Sequence, residues 1–279
     1  MHFTKMHGIG NDYVYVDCTK ETVPDPSALS IRVSDRHFGI GSDGLILIMP
    51  SETADCEMQI YNADGSRGKM CGNGIRCVGK YVYDHGLTSK KHITVDTLSG
   101  IKTLDLMTGE DGKVKSVAVD MGEPVLIPEE IPCTLPGEKL VGIPYQVGGK
   151  EYRITCVSMG NPHCVVFMDE DVYGLDLEKI GPAFEHNEIF PEGVNTEFVN
   201  VLGKNHIRMR VWERGSGETW ACGTGASAAA VASILNSYTW SCVRVSLRGG
   251  DLEITWDHAD GHVTMTGPAE EVYEGDINV

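Results

Sequence analysis

Short runs with a period of two recur along the chain, broken by a few stretches with helical spacing. Phe3 to His7 and Tyr13 to Asp17 read as strands, the second built from aromatic and β-branched residues. Ser27 to Arg36 predicts a helix. Leu45 to Met49 is an unbroken apolar run of strand length, and Met58 to Tyr61 is a shorter strand. Ile75 to Tyr83 has helical spacing, with Ile75, Val78, Tyr81 and Val82 on one side and Arg76, Lys80 and Asp84 among them. Ile93 to Val95, Ile101 to Met107 and Val114 to Met121 predict a meander. Prolines then crowd the chain (Pro124, Pro128, Pro132, Pro136, Pro144), which reads as a crossing between domains.

Beyond the crossing the pattern restarts. Tyr152 to Val157, Cys164 to Met168, Thr196 to Val201 and Ile207 to Trp212 predict strands, with a short helix at Leu177 to Phe184. A helix at Ala226 to Asn236 precedes the strands Val243 to Leu247, Leu252 to Trp256 and His262 to Thr266. That last helix is apolar on every face, with Ser227 and Ser233 small enough to pack inside. A helix apolar all round is buried, so strands before and after it suggest a sheet curled around a central helix.

The second half also echoes the first in its loops. Gly10-Asn11 returns as Gly160-Asn161, Gly41-Ser42-Asp43 as Gly193-Val194-Asn195, Asn62 as Glu213, and Cys71-Gly72-Asn73-Gly74 as Cys222-Gly223-Thr224-Gly225. The offsets are 150, 152, 151 and 151 residues. Matched order at nearly one offset exceeds coincidence among glycine-rich loops and points to a duplication. The expected fold is α+β, with two pseudo-symmetric lobes. Each is a mixed, mostly antiparallel sheet curled around a helix, and the active site lies in the cleft between them. The expected boundaries are 1–120 for the first lobe, completed by 267–279, and 121–266 for the second.

Composition narrows the partners. The 279 residues carry 23 Lys and Arg against 40 Asp and Glu, a net charge of −17. That opposes nucleic acid or an anionic membrane as partner and leaves a small zwitterionic substrate open. Nine cysteines occur without a dense framework; the nearest pair, Cys71 and Cys77, has five residues between, which gives no zinc spacing. The opening Met-His-Phe-Thr-Lys-Met-His has no long apolar segment, and no run of about eighteen apolar residues occurs. A cytoplasmic protein with reduced thiols and no bound metal is the expectation.

Candidate chemistry centres on two sulfurs. Taken alone, Cys71 reads equally as an activated thiol at a helix start or as a packed core cysteine. Its echo at Cys222 favours the first reading. Two thiols on facing lobes suit removal of a proton from one side of a stereocentre and delivery to the other. A carbon acid beside a carboxylate is very weak, so the developing anion needs stabilisation, which two helix N-termini can supply. No pyridoxal lysine motif is evident. The remaining polar loop residues keep plainer alternatives: Asn11 and Asn195 as turn residues, Asn161 as a loop former before Pro162, His163 as a satisfied buried histidine, Glu213 and Arg214 as an exposed pair.

These residues carry a resemblance to the diaminopimelate epimerase family that runs nearly end to end. Lys5-Met6-His7-Gly8-Ile9-Gly10-Asn11-Asp12 looks like that family's opening; Asn62-Ala63-Asp64-Gly65-Ser66 and Cys71 to Arg76 match its most specific signature. Gly160 to His163, Gly193 to Asn195, Glu213 to Gly215 and Cys222 to Gly225 fill the second half. The resemblance implies interconversion of LL- and meso-diaminopimelate without pyridoxal phosphate or metal, serving lysine and peptidoglycan-precursor synthesis, in a homodimer. It also implies that Cys71 is the proton donor and Cys222 the acceptor in one direction. Gly72, Asn73, Gly223 and Thr224 clamp the reacting carboxylate. Asn11, Asn62, Asn161, Asn195 and Arg214 read the substrate, and Glu213 and His163 tune the centre. The sequence departs at Gly44, where some relatives carry a substrate-touching glutamine. Alternatives from neighbouring classes are a proline or hydroxyproline racemase, an isomerase of the phenazine-pathway type, and a two-lobed amino acid binding protein without catalysis.

Overall fold

The structure is a computed structural model that describes residues 1–278. Its chain divides into two compact units, Met1–Asp120 with Thr266–Val279, and Met121–Met265. In the first, β1 (His2–Gly8) and β2 (Asn11–Asp17) form an antiparallel pair, and α1 (Pro26–Ser34) follows, capped by Asp25. Next come β3 (Gly44–Met49), β4 (Cys56–Asn62) and the two-residue β5 (Arg67–Gly68). The helix α2 (Gly72–Asp84) leads to β6 (His92–Asp96), β7 (Lys102–Thr108) and β8 (Val114–Gly122).

The second unit opens with β9 (Ile143–Val147), β10 (Lys150–Ser158) and β11 (Pro162–Phe167), then α3 (Leu177–Glu185). After β12 (Asn195–Gly203), β13 (His206–Glu213) and β14 (Gly217–Thr219) comes α4 (Gly223–Leu235). The strands β15 (Cys242–Leu247), β16 (Gly250–Trp256) and β17 (Val263–Pro268) follow. Finally β18 (Glu270–Asp276) pairs antiparallel with β1, so the chain's end belongs to the first unit's sheet.

The two units repeat one pairing scheme. In the first, β2 runs parallel to β3, β3 antiparallel to β4, β4 antiparallel to β5 and parallel to β6, and β6 antiparallel to β7. In the second, β11 runs parallel to β12, β12 antiparallel to β13, β13 antiparallel to β14 and parallel to β15, and β15 antiparallel to β16. One parallel pair spans α1 or α3, and the other spans α2 or α4. These are the crossovers a helix provides between parallel strands.

Each sheet curls around its second helix. α4 packs against β10, β11, β12, β13, β15 and β16, and its residues Ala226 and Ala228 to Ala232 have no exposed surface. α2 packs against β1, β2 and β7. Its mixed sequence suggests a polar face, yet Arg76 has no exposed surface and Lys80 is buried too. Their polar ends make hydrogen bonds inside. Arg76 donates to the carbonyls of Gly72 and Pro268 and to Asn73 Oδ1, while Lys80 bridges Asp84 and the Val114 carbonyl. Paired and hydrogen-bonded charges can be buried where lone ones cannot.

Several element bounds differ from the sequence reading. Both core helices start three residues earlier than apolar spacing suggests, at Gly72 and Gly223, because a cysteine side chain caps each start. α1 ends at Ser34 rather than Arg36. The strands β5, β9, β14 and β18 were not expected, and β9 lies where proline signalled an irregular crossing.

Candidate active site

Cys71 and Cys222 occupy equivalent places. Each is the N-cap of its helix in extended conformation, with φ −132° and ψ 116° at Cys71 and φ −127° and ψ 111° at Cys222. Each sulfur accepts a hydrogen bond from the third helical N–H, Gly74 N at 3.3 Å and Gly225 N at 3.4 Å. This is the place a serine or aspartate usually fills. Here it puts a nucleophilic, ionisable sulfur at the positive end of a buried helix. A glycine at the capped position lets the backbone come close. A Cβ on Gly74 would stand 2.6 Å from Ile46, and one on Gly225 2.6 Å from a Glu197 oxygen.

Around Cys71 the first unit assembles Asn11, Asp43 and Tyr13. The thiol donates to Asn11 Oδ1 at 3.2 Å, and Asn11 Nδ2 donates to Asp43 Oδ2 at 2.7 Å. Asp43 also accepts from the Asp12 backbone N–H and from Arg36. Burial, then repulsion from Asp12, raises the Asp43 carboxyl above its usual range. Tyr13, which the sequence reading left as a strand residue, puts its phenol within hydrogen-bonding reach of Cys71 and Asn11. Burial and then the charge of Cys71 hold this phenol far above its ordinary pKa, so it stays a neutral donor.

Gly44, where the sequence departs from the resembled pattern, is closely packed. It pairs with Tyr13 across β2 and β3 and with Asn62 across β3 and β4. A Cβ there would stand 2.2 Å from the Tyr61 carbonyl oxygen and 2.9 Å from Tyr13 Cε1. The Tyr13 ring therefore takes the space beside Gly44. The neighbouring Asn62 donates to Ser66 Oγ and closes its own turn. Asn73 is buried and accepts from Arg76, which ties it to the helix's first turn.

The second unit gathers Cys222, Glu213, His163, Asn161 and a residue missed in sequence, Glu197. Cys222 is buried. Burial first, then the carboxylates of Glu213 and Glu197, push its thiol well above the ordinary range, against the hydrogen bonds from Thr224 and Gly225. Glu213 is not an exposed partner of Arg214: it accepts from the Thr219 hydroxyl and from Cys222. Burial raises the Glu213 carboxyl as well. The Glu213 charge thus discourages the thiolate of Cys222, while the Cys222 thiol beside it lowers the Glu213 carboxyl against its burial.

His163 has no exposed surface; Nδ1 lies 2.7 Å from Glu197 Oε1 and Nε2 lies 3.0 Å from Asn161 Oδ1. Asn195 is equally engaged, donating to the Pro162 carbonyl and accepting from Arg214 N. It pins two site loops together. The Arg214 guanidinium donates to the Glu192 carbonyl. Glu185, a second residue missed in sequence, accepts from Gly215 N and the Trp212 indole, both at 2.7 Å, and fixes the turn that carries Glu213 and Arg214. Neither glutamate had a motif to reveal it: Glu197 sits within an apolar strand and Glu185 ends a helix.

No helix among the described residues is long and apolar enough to cross a membrane.

Comparison with known proteins agrees on one family. The family model described as diaminopimelate epimerase matches residues 3–127 and 155–272. A diaminopimelate epimerase of Acetivibrio thermocellus is 57% identical over 279 residues, covering 100% of this chain and 99% of that protein. One of Methanococcus maripaludis is 55% identical over 281 residues, with both chains fully covered. Among solved structures, a probable proline racemase from Agrobacterium radiobacter superposes with a TM-score of 0.71 at 15% identity, over 100% of this chain and 93% of that one. A phenazine biosynthesis protein of Bacillus anthracis superposes with a TM-score of 0.69 at 16% identity, over 100% and 99%. At such identities these two share the fold alone.

Proposed function

The chain belongs to the diaminopimelate epimerase family, and from that premise we propose that it interconverts LL- and meso-diaminopimelate with Cys71 and Cys222 as the two bases. The observation that carries the reading is the matched pair of N-cap cysteines, each at the start of a buried helix in units that share one topology.

Each turnover removes the α-hydrogen as a proton to one thiolate, and the other thiol returns a proton to the opposite face. One S–H and one thiolate enter, and one of each leaves with roles exchanged. The carbanion beside the carboxylate is stabilised by first-turn N–H groups of α2 and α4, contributed by Gly72, Asn73, Gly223 and Thr224.

In the resting protein Cys222 is held as a thiol. To act as acceptor it first passes its proton to Glu213, already in hydrogen-bond contact. Asn11, Asn62, Asn161, Asn195 and Arg214 recognise the amino acid groups, and His163 tunes the centre. No group beyond the chain's own residues is needed to take or return the proton. We further propose a cytoplasmic homodimer, the state the family resemblance implies.

The test is exchange of the α-hydrogen of LL-diaminopimelate with solvent deuterium in the purified protein without added cofactor. Exchange with diaminopimelate and none with proline or 4-hydroxyproline is expected. Exchange of proline alone would move the protein to a racemase of the same fold. Replacing either Cys71 or Cys222 with alanine is expected to abolish turnover while the thermal transition persists.

A further inference from the structure

Asn11 stands between two polar groups of the first unit. Its Oδ1 accepts from the Cys71 thiol at 3.2 Å, and its Nδ2 donates to Asp43 Oδ2 at 2.7 Å. An amide turned over by half a turn keeps its shape, so packing alone does not choose between the two orientations. The polarity of the neighbours makes the choice. Asp43 Oδ2 also accepts from the Asp12 backbone N–H at 3.1 Å, and Asp43 Oδ1 accepts from Arg36 Nη2 at 2.9 Å. A backbone N–H and a guanidinium only donate, so each oxygen of Asp43 serves as an acceptor. Only the NH2 end of Asn11 then suits Oδ2, and the amide oxygen is left for the sulfur.

The carboxyl is itself held in place. The Asp43 backbone N–H donates to the Asp12 carbonyl at 2.7 Å, so residues 12 and 43 are joined through main chain and side chain at once. The second unit shows by contrast why an aspartate stands here. In the loop echoes Asn195 takes the place of Asp43, and Pro162 follows Asn161 as Asp12 follows Asn11. Proline has no N–H to give. It offers a carbonyl, and Asn195 meets that carbonyl with Nδ2 at 2.7 Å. The side chain that ties the two loops together therefore carries an acceptor where the first loop presents an N–H, and a donor where it presents only an oxygen.

We propose that Asp43 is a positioning residue that fixes the Asn11 amide with its oxygen toward Cys71, and so sets the polar groups that Asn11 offers to the sulfur and to the substrate. The proposal rests on the reading that Asn11 and Cys71 belong to the epimerase site. It concerns hydrogen-bond polarity rather than net charge. An asparagine at 43 keeps one oxygen for the Asp12 N–H and for Asn11, at the expense of the Arg36 bond; an apolar residue keeps neither. Without that acceptor the Asn11 amide is free to turn. Its N–H groups then meet the Cys71 thiol, and the donor and acceptor it presents to an amino acid exchange places.

A mutant cycle and a spectrum test this. Asp43→Ala is expected to lower kcat/KM for diaminopimelate about tenfold, and Asp43→Asn to recover most of the loss. Arg36→Gln, which removes a charge beside Asp43 but leaves both bonds at Oδ2, is expected to stay within about twofold of the parent. In an Asn11→Ala background there is no amide to orient, and Asp43→Ala is expected to cost less than about twofold more. NMR of asparagine-labelled protein is expected to show the Asn11 side-chain N–H protons against the Asp12 backbone N–H in the parent and in Asp43→Asn, and to lose that contact in Asp43→Ala. A parent whose Asn11 N–H protons lie against the Cys71 β-hydrogens overturns the proposal. So does an Asp43→Ala protein within about twofold of the parent, an Arg36→Gln loss as large as that of Asp43→Ala, no recovery in Asp43→Asn, or an Asp43→Ala loss that is undiminished without Asn11. Should Asp43→Ala not fold, Asp43→Leu, which fills the space and likewise has no acceptor, takes its place. A parent that shows the fixed amide yet exchanges no diaminopimelate hydrogen overturns the substrate reading and upholds the positioning.

Discussion

At the residue scale, the two thiols differ in what surrounds them. Cys222 is enclosed by acids, whereas Cys71 meets the Asn11 amide oxygen and the Tyr13 phenol. A phenol that never ionises in the working range is a donor reserved for whatever negative charge forms beside it. Tyr13→Phe keeps the ring against Gly44 and removes only that donor. The fold is expected to survive with little change in Tm, because the ring's apolar packing is intact. We expect kcat to fall about tenfold, equivalent to ~1.4 kcal/mol of lost stabilisation, with KM nearly unchanged. An unchanged kcat would mean that the phenol only packs. The same reasoning applies to Gly44: Gly44→Gln brings a Cβ to within 2.2 Å of the Tyr61 carbonyl. It should lower Tm and activity together rather than restore a contact, and a gain in affinity for diaminopimelate would contradict this.

At the scale of elements, support for the site is set by close packing between helix and sheet. Gly181 in α3 lies under the Trp212 indole: a Cβ there would stand 2.2 Å from Cδ2. Trp212 immediately precedes Glu213 and is held by Glu185. Gly181→Ala must push the indole off the helix. Overpacking of this kind costs about 1–3 kcal/mol, and the displaced ring would carry Glu213 with it. A lower Tm accompanied by lower kcat is expected; a Tm rise, as the better helix propensity of alanine alone would give, would refute the contact. Such close approaches mark what was hidden in the sequence. Strands rich in β-branched residues, the all-apolar helix α4 and the loop echoes around both cysteines were legible, because period and spacing record them. β18 was not: Glu270 to Tyr273 are all exposed, and its register comes from pairing with β1, which no local pattern encodes. β9 was masked by Pro144, tolerated because β9 pairs with β10 at a sheet margin. The helix starts were hidden by glycines at 72, 74, 223 and 225, poor helix formers, of which those at 74 and 225 are required by close packing beside the capping cysteines. Of the site, the motif residues were legible, while Tyr13, Glu185 and Glu197 were not, since each acts through a tertiary contact.

At the scale of the whole molecule, the acidic groups fall into two sets with opposite effects on stability. For Asp12, burial would raise the carboxyl, but hydrogen bonds and charges from Arg36 and Lys5 win and hold it below its usual range. Arg210 and Arg248 do the same for Glu218. Groups held low stabilise the fold above the unfolded carboxylate range, and that contribution is lost as pH falls through their lowered values. Glu213 belongs to the opposite set, raised by burial. Its contribution is present below the unfolded value, about 4.3, and is lost as pH rises through its raised folded value. At neutral pH the site carboxyl is therefore a stability cost retained for chemistry, an instance of the trade between stability and function. Glu213→Gln removes that cost and still offers Thr219 an oxygen to bond. Its Tm is expected to exceed the parent's by a few degrees at neutral pH, with the difference vanishing below about pH 4, where the parent's carboxyl is protonated in both states. Turnover should fall about 100- to 1,000-fold, since an amide cannot take the Cys222 proton. Parallel melting curves across pH decide it: a variant less stable than the parent at neutral pH would show that the Glu213 charge is well solvated in the fold, and would remove the basis for proton exchange with Cys222.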